Sequence, residues 1–146
     1  MTPEERDLRE SLERLADHEG GRRLLQLSLR GIESDGRELT SGCWTHKGDA
    51  GCLFQHAYWQ GVAEGAFADD GQVRAWVSGV AGRDAYHLVI DAIAAFDALA
   101  RAQFALAVHW LRPPDLDQER WREAVSGLLV DVLGASVEPS GATAVR

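Results

Sequence analysis

Four residues of types that commonly bind metal ions lie within one short segment of the chain. They follow the pattern Cys-x2-His, five further residues, then Cys-x3-His, and they are Cys43, His46, Cys52 and His56. Thiolate sulfur and imidazole nitrogen are the usual ligands of structural zinc, in sets of four. The pattern therefore predicts a zinc site, although the spacer between the two pairs is shorter than in common zinc fingers.

The second pair, Cys52 and His56, has the better defined geometry. Residues four apart on a helix lie on the same face, one turn from each other. With Asp49 as the N-cap, Cys52 falls in the first turn, where the helix dipole favours the thiolate. On a helical wheel the pair lies away from the most apolar side of this helix. Two other interpretations stay open, namely buried structural residues and a reactive thiol at Cys52.

Two tryptophans, Trp44 and Trp59, stand beside these residues in the sequence. Because an indole offers a large apolar surface and one hydrogen-bond donor, we interpret them as candidate walls of a ligand pocket. The simpler interpretation is that they cover the loop.

A further polar group, Asp84, His87 and Asp91, has the spacing of one helix stripe. A stripe of this kind usually faces solvent. His87 or Asp91 is also an alternative metal ligand in place of one of the four residues above.

The apolar periodicity of the chain predicts a mainly α fold that holds these residues. We expect a small bundle of four to five helices around a central, largely apolar helix over residues 83–110. Residues 22–32 fit a helix or a strand, with the helix favoured, and a short β-hairpin or extended segment is an alternative within 22–40. We expect one helical domain, residues 1–134, and a disordered tail, residues 135–146.

Helix boundaries are also marked in the sequence. Thr2 and Glu5 form a capping-box pattern at the start of the first helix, and Gly20 and Gly21 predict its end. The segment 41–51 is rich in glycine and polar residues, which predicts a structured loop before the helix that carries His56.

Composition restricts the classes of function. The 146 residues carry a net charge of −8, with 45% hydrophobic and 26% charged residues, which is typical of a globular protein. The negative charge makes nucleic acid an unlikely partner and gives no attraction to anionic lipid. The chain shows no signal-peptide pattern and no bilayer-spanning apolar run, so we expect a cytoplasmic protein, without membrane association, whose cysteines are reduced.

Two hypotheses of function follow from these features. The first is a small cytoplasmic protein with a structural or regulatory zinc site, acting through a protein partner or through self-association as a homodimer. The second is a metal- or thiol-dependent enzyme that uses Cys52 and His56 beside a tryptophan-walled pocket. A closed four-ligand site is structural, whereas an open coordination position implies catalysis. No particular small-molecule ligand is predicted.

Overall fold

The computed structural model describes residues 1–40, 50–103 and 118–144, with the side chains of the last range described as far as residue 134. Within these ranges the chain is mainly helical and contains one small sheet, which confirms the predicted fold class. The elements, in chain order, are α1 (Pro3–Ala16), α2 (Glu19–Ser34), β1 (Glu38–Leu39), β2 (Ala50–Gly51), α3 (Leu53–Ala63), α4 (Val73–Ala81), α5 (Tyr86–Gln103) and α6 (Gln118–Ala144).

Helix α1 begins with the capping box that the sequence predicts. The Thr2 hydroxyl accepts a hydrogen bond from the Glu5 amide at 3.1 Å, and the Glu5 carboxylate accepts one from the Thr2 amide at 2.9 Å. These bonds satisfy amide groups that have no partner inside the helix. The leucine stripe of α1, formed by Leu8, Leu12 and Leu15, is fully buried in the core.

The end of α1 differs from the prediction. The helix ends at Ala16, and the Gly20-Gly21 pair lies in the first turn of α2. A Cβ atom on Gly20 would lie 1.9 Å from the carbonyl oxygen of Val80. The glycine therefore allows α2 to approach α4 closely, a tertiary requirement that cannot be distinguished from a helix stop in the sequence.

Helix α2 resolves the ambiguity over residues 22–32 in favour of a helix, and it packs against α1, α3, α4 and α6. The extended part of the 22–40 segment is β1, which pairs in parallel with β2. The predicted central helix corresponds to α5, which packs against α1 and α4, and residues 104–117 lie outside the described residues.

Two further observations complete the fold. The backbone of α6 is helical to Ala144, and the division of the chain into a domain of residues 1–134 and a tail of residues 135–146 stays a prediction. None of the helices in the described ranges has both the length and the apolar character needed to cross a bilayer.

Candidate functional site

A buried group of ionisable side chains joins α2, α3 and α6. His56 lies on α3, with its side chain 0% exposed. Its Nδ1 is 2.7 Å from a carboxylate oxygen of Asp35, and its Nε2 is 3.0 Å from the main-chain oxygen of Glu38. Both ring nitrogens therefore contact an oxygen atom.

Asp35, the partner of His56, is the C-cap residue of α2, and its side chain is 9% exposed. Burial raises the pKa of Asp35. Three neighbours lower it, namely His56 through a hydrogen bond and its charge, the Arg37 amide and the charge of Arg122. The net effect places the pKa below its ordinary value of 3.8. The amide of Arg37 donates to this carboxylate at 2.8 Å. Asp35 is therefore a carboxylate at neutral pH.

The two oxygen atoms that face the His56 ring are both hydrogen-bond acceptors. A carboxylate and a main-chain carbonyl are both acceptors, so each can bind only a ring nitrogen that carries a proton. Both ring nitrogens of His56 are thus directed at acceptor oxygens, one of the Asp35 carboxylate and one of the Glu38 main chain.

Helix α6 supplies the third side of the group. The Arg122 guanidinium donates to the main-chain carbonyls of Ile32 and Arg37, and it lies 3.7 Å from the Asp35 carboxylate. Ile32 is in the last turn of α2, where carbonyl groups lack partners inside the helix. Arg122 therefore caps α2 and completes the neutralisation of Asp35.

Gln118 lies one turn before Arg122 on α6 and binds the main chain of β1. Its side-chain oxygen accepts from the Leu39 amide at 2.9 Å, and its side-chain nitrogen donates to the Leu39 carbonyl at 3.1 Å. On the opposite edge of β1, the Thr40 amide donates to Gly51 of β2 at 2.9 Å. One edge of β1 is thus paired with a strand and the other with a glutamine side chain.

Close helix packing brings these groups together. A Cβ atom on Gly31 of α2 would lie 2.4 Å from the carbonyl oxygen of His56. Only a glycine at this position lets α2 and α3 approach so closely. The chain then turns at Gly36, which has φ of 71° and follows Asp35 directly, so that β1 returns past the His56 ring.

The structure tests the predicted metal ligands only in part. Cys43 and His46 lie outside the described residues. Cys52 is buried and disulfide-bonded, and it is the N-cap of α3 rather than a residue of its first turn. Metal binding by Cys52 and His56 would require a reduced thiolate and the replacement of a His56 hydrogen bond.

Among the described residues, no group of three or more potential ligands is arranged to hold an ion. The zinc site stays a prediction.

The helical wheel of this segment predicts that Cys52 and His56 lie away from the most apolar side of α3. Both side chains are nevertheless buried. Helix α3 is enclosed from Leu53 to Trp59 by α2, α4 and the small sheet. The polarity of one face therefore reflects a buried ionic group and not contact with solvent.

Of the two candidate pocket tryptophans, Trp44 lies outside the described residues. The Trp59 ring meets the His56 ring edge-on at 5.3 Å, and the Arg37 guanidinium lies 4.3 Å above the Trp59 ring. Trp59 therefore covers the ionic group on one side. Asp84, His87 and Asp91 are exposed, as their simpler interpretation predicts, but Asp84 lies in the turn before α5 and only His87 and Asp91 lie on the helix.

Sequence reasoning missed the residues that complete this group, Asp35, Gln118 and Arg122. Asp35 stands in a Ser-Asp-Gly motif, which predicts only a turn, and Gln118 and Arg122 lie 62 and 66 residues after His56 in the sequence. The one available signal was the Ser-Asp-Gly turn itself, because a carboxylate at a helix end often binds nearby main-chain amides. No spacing rule connects it with His56.

A second buried polar centre lies on α3, at Tyr58. The Tyr58 hydroxyl donates to the Asp69 carboxylate at 2.8 Å and accepts from the amides of Asp70 and Gly71 at 3.0 Å each. Burial and the Asp69 hydrogen bond raise the pKa of Tyr58 to about 12. The phenol is therefore neutral at physiological pH and holds the turn before α4.

A cleft of about 730 Å³ opens beside the ionic group, between the end of α2, β1 and the first turns of α6. Arg122 and Gln118 form part of its wall. Its other lining residues include four acids, Glu33, Glu38, Glu119 and Glu123. Arg37 also lines the cleft, with its guanidinium over the Trp59 ring, and the Arg122 charge is directed at Asp35 and two carbonyls. The four acids therefore outnumber the two arginines, and the cleft carries net negative charge.

Asp35 and His56 resemble the carboxylate and imidazole of a general base, which need a free ring nitrogen facing the substrate. Here the second nitrogen faces the Glu38 carbonyl, and the ring has no exposed surface. The arrangement therefore fixes the position of three elements and presents no base to a ligand.

The sequence and the structure were compared with protein families, curated proteins and solved structures. None of the three comparisons found a match.

Proposed function

We propose that this protein is a non-catalytic helical binding protein, and that it holds a basic segment of a partner protein in the cleft between α2, β1 and α6. The observation that supports this most directly is the acidic lining of that cleft. Glu33, Glu119 and Glu123 are exposed, and within the described part of the chain none of the three has an ion-pair partner.

The positions of these acids favour a cationic ligand. Glu119 and Glu123 are four residues apart on α6, an arrangement in which like charges repel each other. A Lys or Arg side chain between them relieves that repulsion and adds attraction. The net charge of −8 also speeds the approach of a basic partner.

The ionic group supports the same function by holding the cleft in shape. Asp35 and His56 fix the turn after α2, while Arg122 joins that turn to α6. A cleft with preformed walls loses less conformational entropy on binding than a mobile surface does.

The proposal is tested with short fluorescent peptides. A peptide rich in Lys and Arg is expected to bind, with an affinity that falls as salt is added, whereas an acidic peptide of equal length is not. The double variant Glu119→Gln/Glu123→Gln is expected to weaken binding about fivefold, since exposed ion pairs each contribute at most about 1 kcal/mol.

The matched control is Asp84→Asn/Asp91→Asn, in the turn before α5 and on α5, which removes the same number of charges from another exposed surface. An equal loss of affinity in both variants would indicate attraction by net charge alone and would overturn the proposal. Failure of the unaltered protein to bind the basic peptide would overturn it as well.

The zinc site at Cys43, His46, Cys52 and His56 is a separate proposal, and elemental analysis of the protein with and without Cys52→Ala tests it. Stoichiometric zinc that disappears in the variant supports the site, whereas metal-free protein argues against it. An enzyme acting through Cys52 and His56 is the alternative, but no described contact favours it.

A cytoplasmic location stays a prediction.

A further inference from the structure

The turn between α3 and α4 carries a cavity whose lining combines aromatic rings with a carboxylate. Its volume is about 460 Å³, and it is lined by Phe67, Ala68, Asp70, Gln72, Ala75 and Trp76. Sites for small molecules typically have volumes of about 300–1,000 Å³ and apolar walls with a few polar groups. The cavity therefore has the size and the composition of a small ligand site.

The aromatic walls of this cavity are held in place by α3. The rings of Phe67 and Trp76 lie 5.0 Å apart, with an angle of 34° between their planes. The buried Tyr58 ring packs against both of them, at 5.3 Å and 5.7 Å. A Cβ atom on Gly61 would lie 2.5 Å from the Phe67 ring, so the glycine lets this ring lie directly against α3. Walls that are already in position lose little conformational entropy when a ligand binds.

The charge beside these rings is negative and has no cationic partner. Asp70 is the ionisable residue among the described residues that line the cavity, and Asp69 precedes it directly. Within the described part of the chain neither carboxylate forms an ion pair. Arg74, the nearest basic residue in the sequence, is directed at the Tyr86 hydroxyl at 3.2 Å. The cavity thus combines aromatic rings with a carboxylate that no arginine neutralises.

We propose that this cavity binds a small quaternary ammonium ion, with its methyl groups against Phe67 and Trp76 and its charge beside Asp70. The faces of aromatic rings attract cations, and methylated ammonium groups are commonly recognised in this way. This site lies on other residues than the cleft between α2, β1 and α6, and it does not depend on the function proposed for that cleft.

The hydrogen bonds already present favour a methylated ammonium ion over a primary amine. One oxygen of Asp70, Oδ1, accepts from the Gln72 amide at 2.9 Å. A primary ammonium group has three N–H donors, each of which needs an acceptor once it leaves water. A trimethylammonium group has no donor to satisfy, and its methyl groups suit the apolar walls.

Two further features limit the kind of ligand. The cavity lies beside the first turn of α4, and a helix N-terminus repels a cation with the equivalent of about half an elementary charge. The full charges of Asp69 and Asp70 exceed this repulsion. The lining also comes from residues 67–76 alone, whereas a stable protein interface buries about 800 Å² on each partner. We therefore expect a free small ion rather than a protein segment.

The first experiment uses the unaltered protein. Choline and its neutral isostere 3,3-dimethyl-1-butanol are titrated separately, at constant ionic strength, while nuclear magnetic resonance follows the amides of residues 67–76 and the Trp76 indole. We expect choline to bind at about 1–10 mM and at least about fivefold more tightly than the isostere, with its shifts confined to these residues. Equal affinities, or no shifts with choline at about 100 mM, would overturn the proposal.

The second experiment locates the charge that the ion recognises. The variant Asp70→Asn keeps an oxygen for the Gln72 amide and removes the charge, so choline should bind about fivefold more weakly while the isostere binds as before. The matched control is Asp91→Asn, which removes an exposed charge from α5. Equal losses in the two variants would indicate attraction by net charge alone and would overturn the site.

A third titration tests whether the occupant is a free ion. A short peptide that carries one trimethyllysine presents the same ammonium group on a longer chain, and it should bind no more tightly than choline. Binding that is more than about tenfold tighter would show contacts beyond the cavity, and it would overturn the assignment to a small ion.

Discussion

Two side chains on α3, only two residues apart, each hold a loop in place, but they do so with different chemistry. His56 binds the Asp35 carboxylate and the Glu38 main-chain oxygen after α2, and the Arg122 guanidinium lies beside the same Asp35 carboxylate. Tyr58 binds the turn before α4 through a neutral hydroxyl that both donates and accepts. The comparison shows that one buried helix supports an ionic site on one side and an uncharged site on the other.

The two sites should differ in what happens when a partner is lost. Removing one member of a buried ion pair leaves an uncompensated charge away from water, which costs more than the loss of a neutral hydrogen bond. The contribution of the ionic site to stability should fall in acid, whereas the contribution of the tyrosine site should fall in alkali. The experiments below test this difference, starting with the largest expected effect.

The substitution His56→Leu is expected to lower the free energy of unfolding by about 3–5 kcal/mol, because it leaves the Asp35 carboxylate buried without its main partner. Urea unfolding at neutral pH measures this change. His87→Leu, on the exposed stripe of α5, is the control and should change stability by less than about 0.5 kcal/mol. A loss at His56 no larger than that at Tyr58 would remove the distinction between the two sites.

Acid should weaken the ionic site specifically. The pKa of Asp35 is lowered in the folded protein, with 3.8 as its ordinary value. The carboxylate therefore contributes stability above pH 3.8, and that contribution is lost as the pH falls through the lowered pKa. We expect the stability difference between the unaltered protein and Asp35→Asn to shrink over this range in urea unfolding. A difference independent of pH would show that Asp35 is not ionised in the fold.

The substitution Tyr58→Phe is expected to cost about 1–2 kcal/mol, because the amides of Asp70 and Gly71 lose a neutral acceptor while the ring stays packed. Tyr86→Phe is the matched control. The Tyr86 hydroxyl accepts one bond, from Arg74 at 3.2 Å, in an exposed position. Equal effects of the two substitutions in thermal unfolding would mean that the Tyr58 hydroxyl does not hold the turn.

Alkali should weaken the tyrosine site. The pKa of Tyr58 is raised from 10.0 to about 12 in the folded protein. Its contribution to stability is therefore complete below pH 10.0 and is lost as the pH rises through about 12. Absorbance of tyrosinate follows this ionisation, and Tyr58→Phe should remove the step near pH 12. Tyrosinate absorbance at Tyr58 that appears near pH 10.0 would contradict the buried hydrogen bonds.

The smallest effect is expected at a surface ion pair that joins α2 and α3. The Nε atom of Arg30 lies 2.7 Å from a carboxylate oxygen of Glu64. Hydrogen bonds from Arg30 and Gln60 lower the pKa of Glu64. Both side chains are well exposed, so Glu64→Gln should change stability by less than about 0.5 kcal/mol, and added salt should remove most of the effect. A larger loss would show that charge pairs outside the core also hold α3.

The sequence by itself determined the helical class and the capping box at Thr2, and it favoured a helix over residues 22–32 without excluding a strand. These features depend on local hydrogen bonds and on apolar periodicity, which neighbouring residues specify. It also singled out His56 as a residue capable of chemistry. It did not determine which groups would surround that ring.

Only the tertiary structure decided those partners. Gly31 lets α2 and α3 meet closely, which places Asp35 against His56, and α6 brings Arg122 to the same point from far along the chain. The effect of a buried charge depends on such neighbours, because the surroundings replace the water that has been excluded. The sequence therefore identified His56, and the packing of three helices decided that its ring holds the fold together beside an acidic cleft.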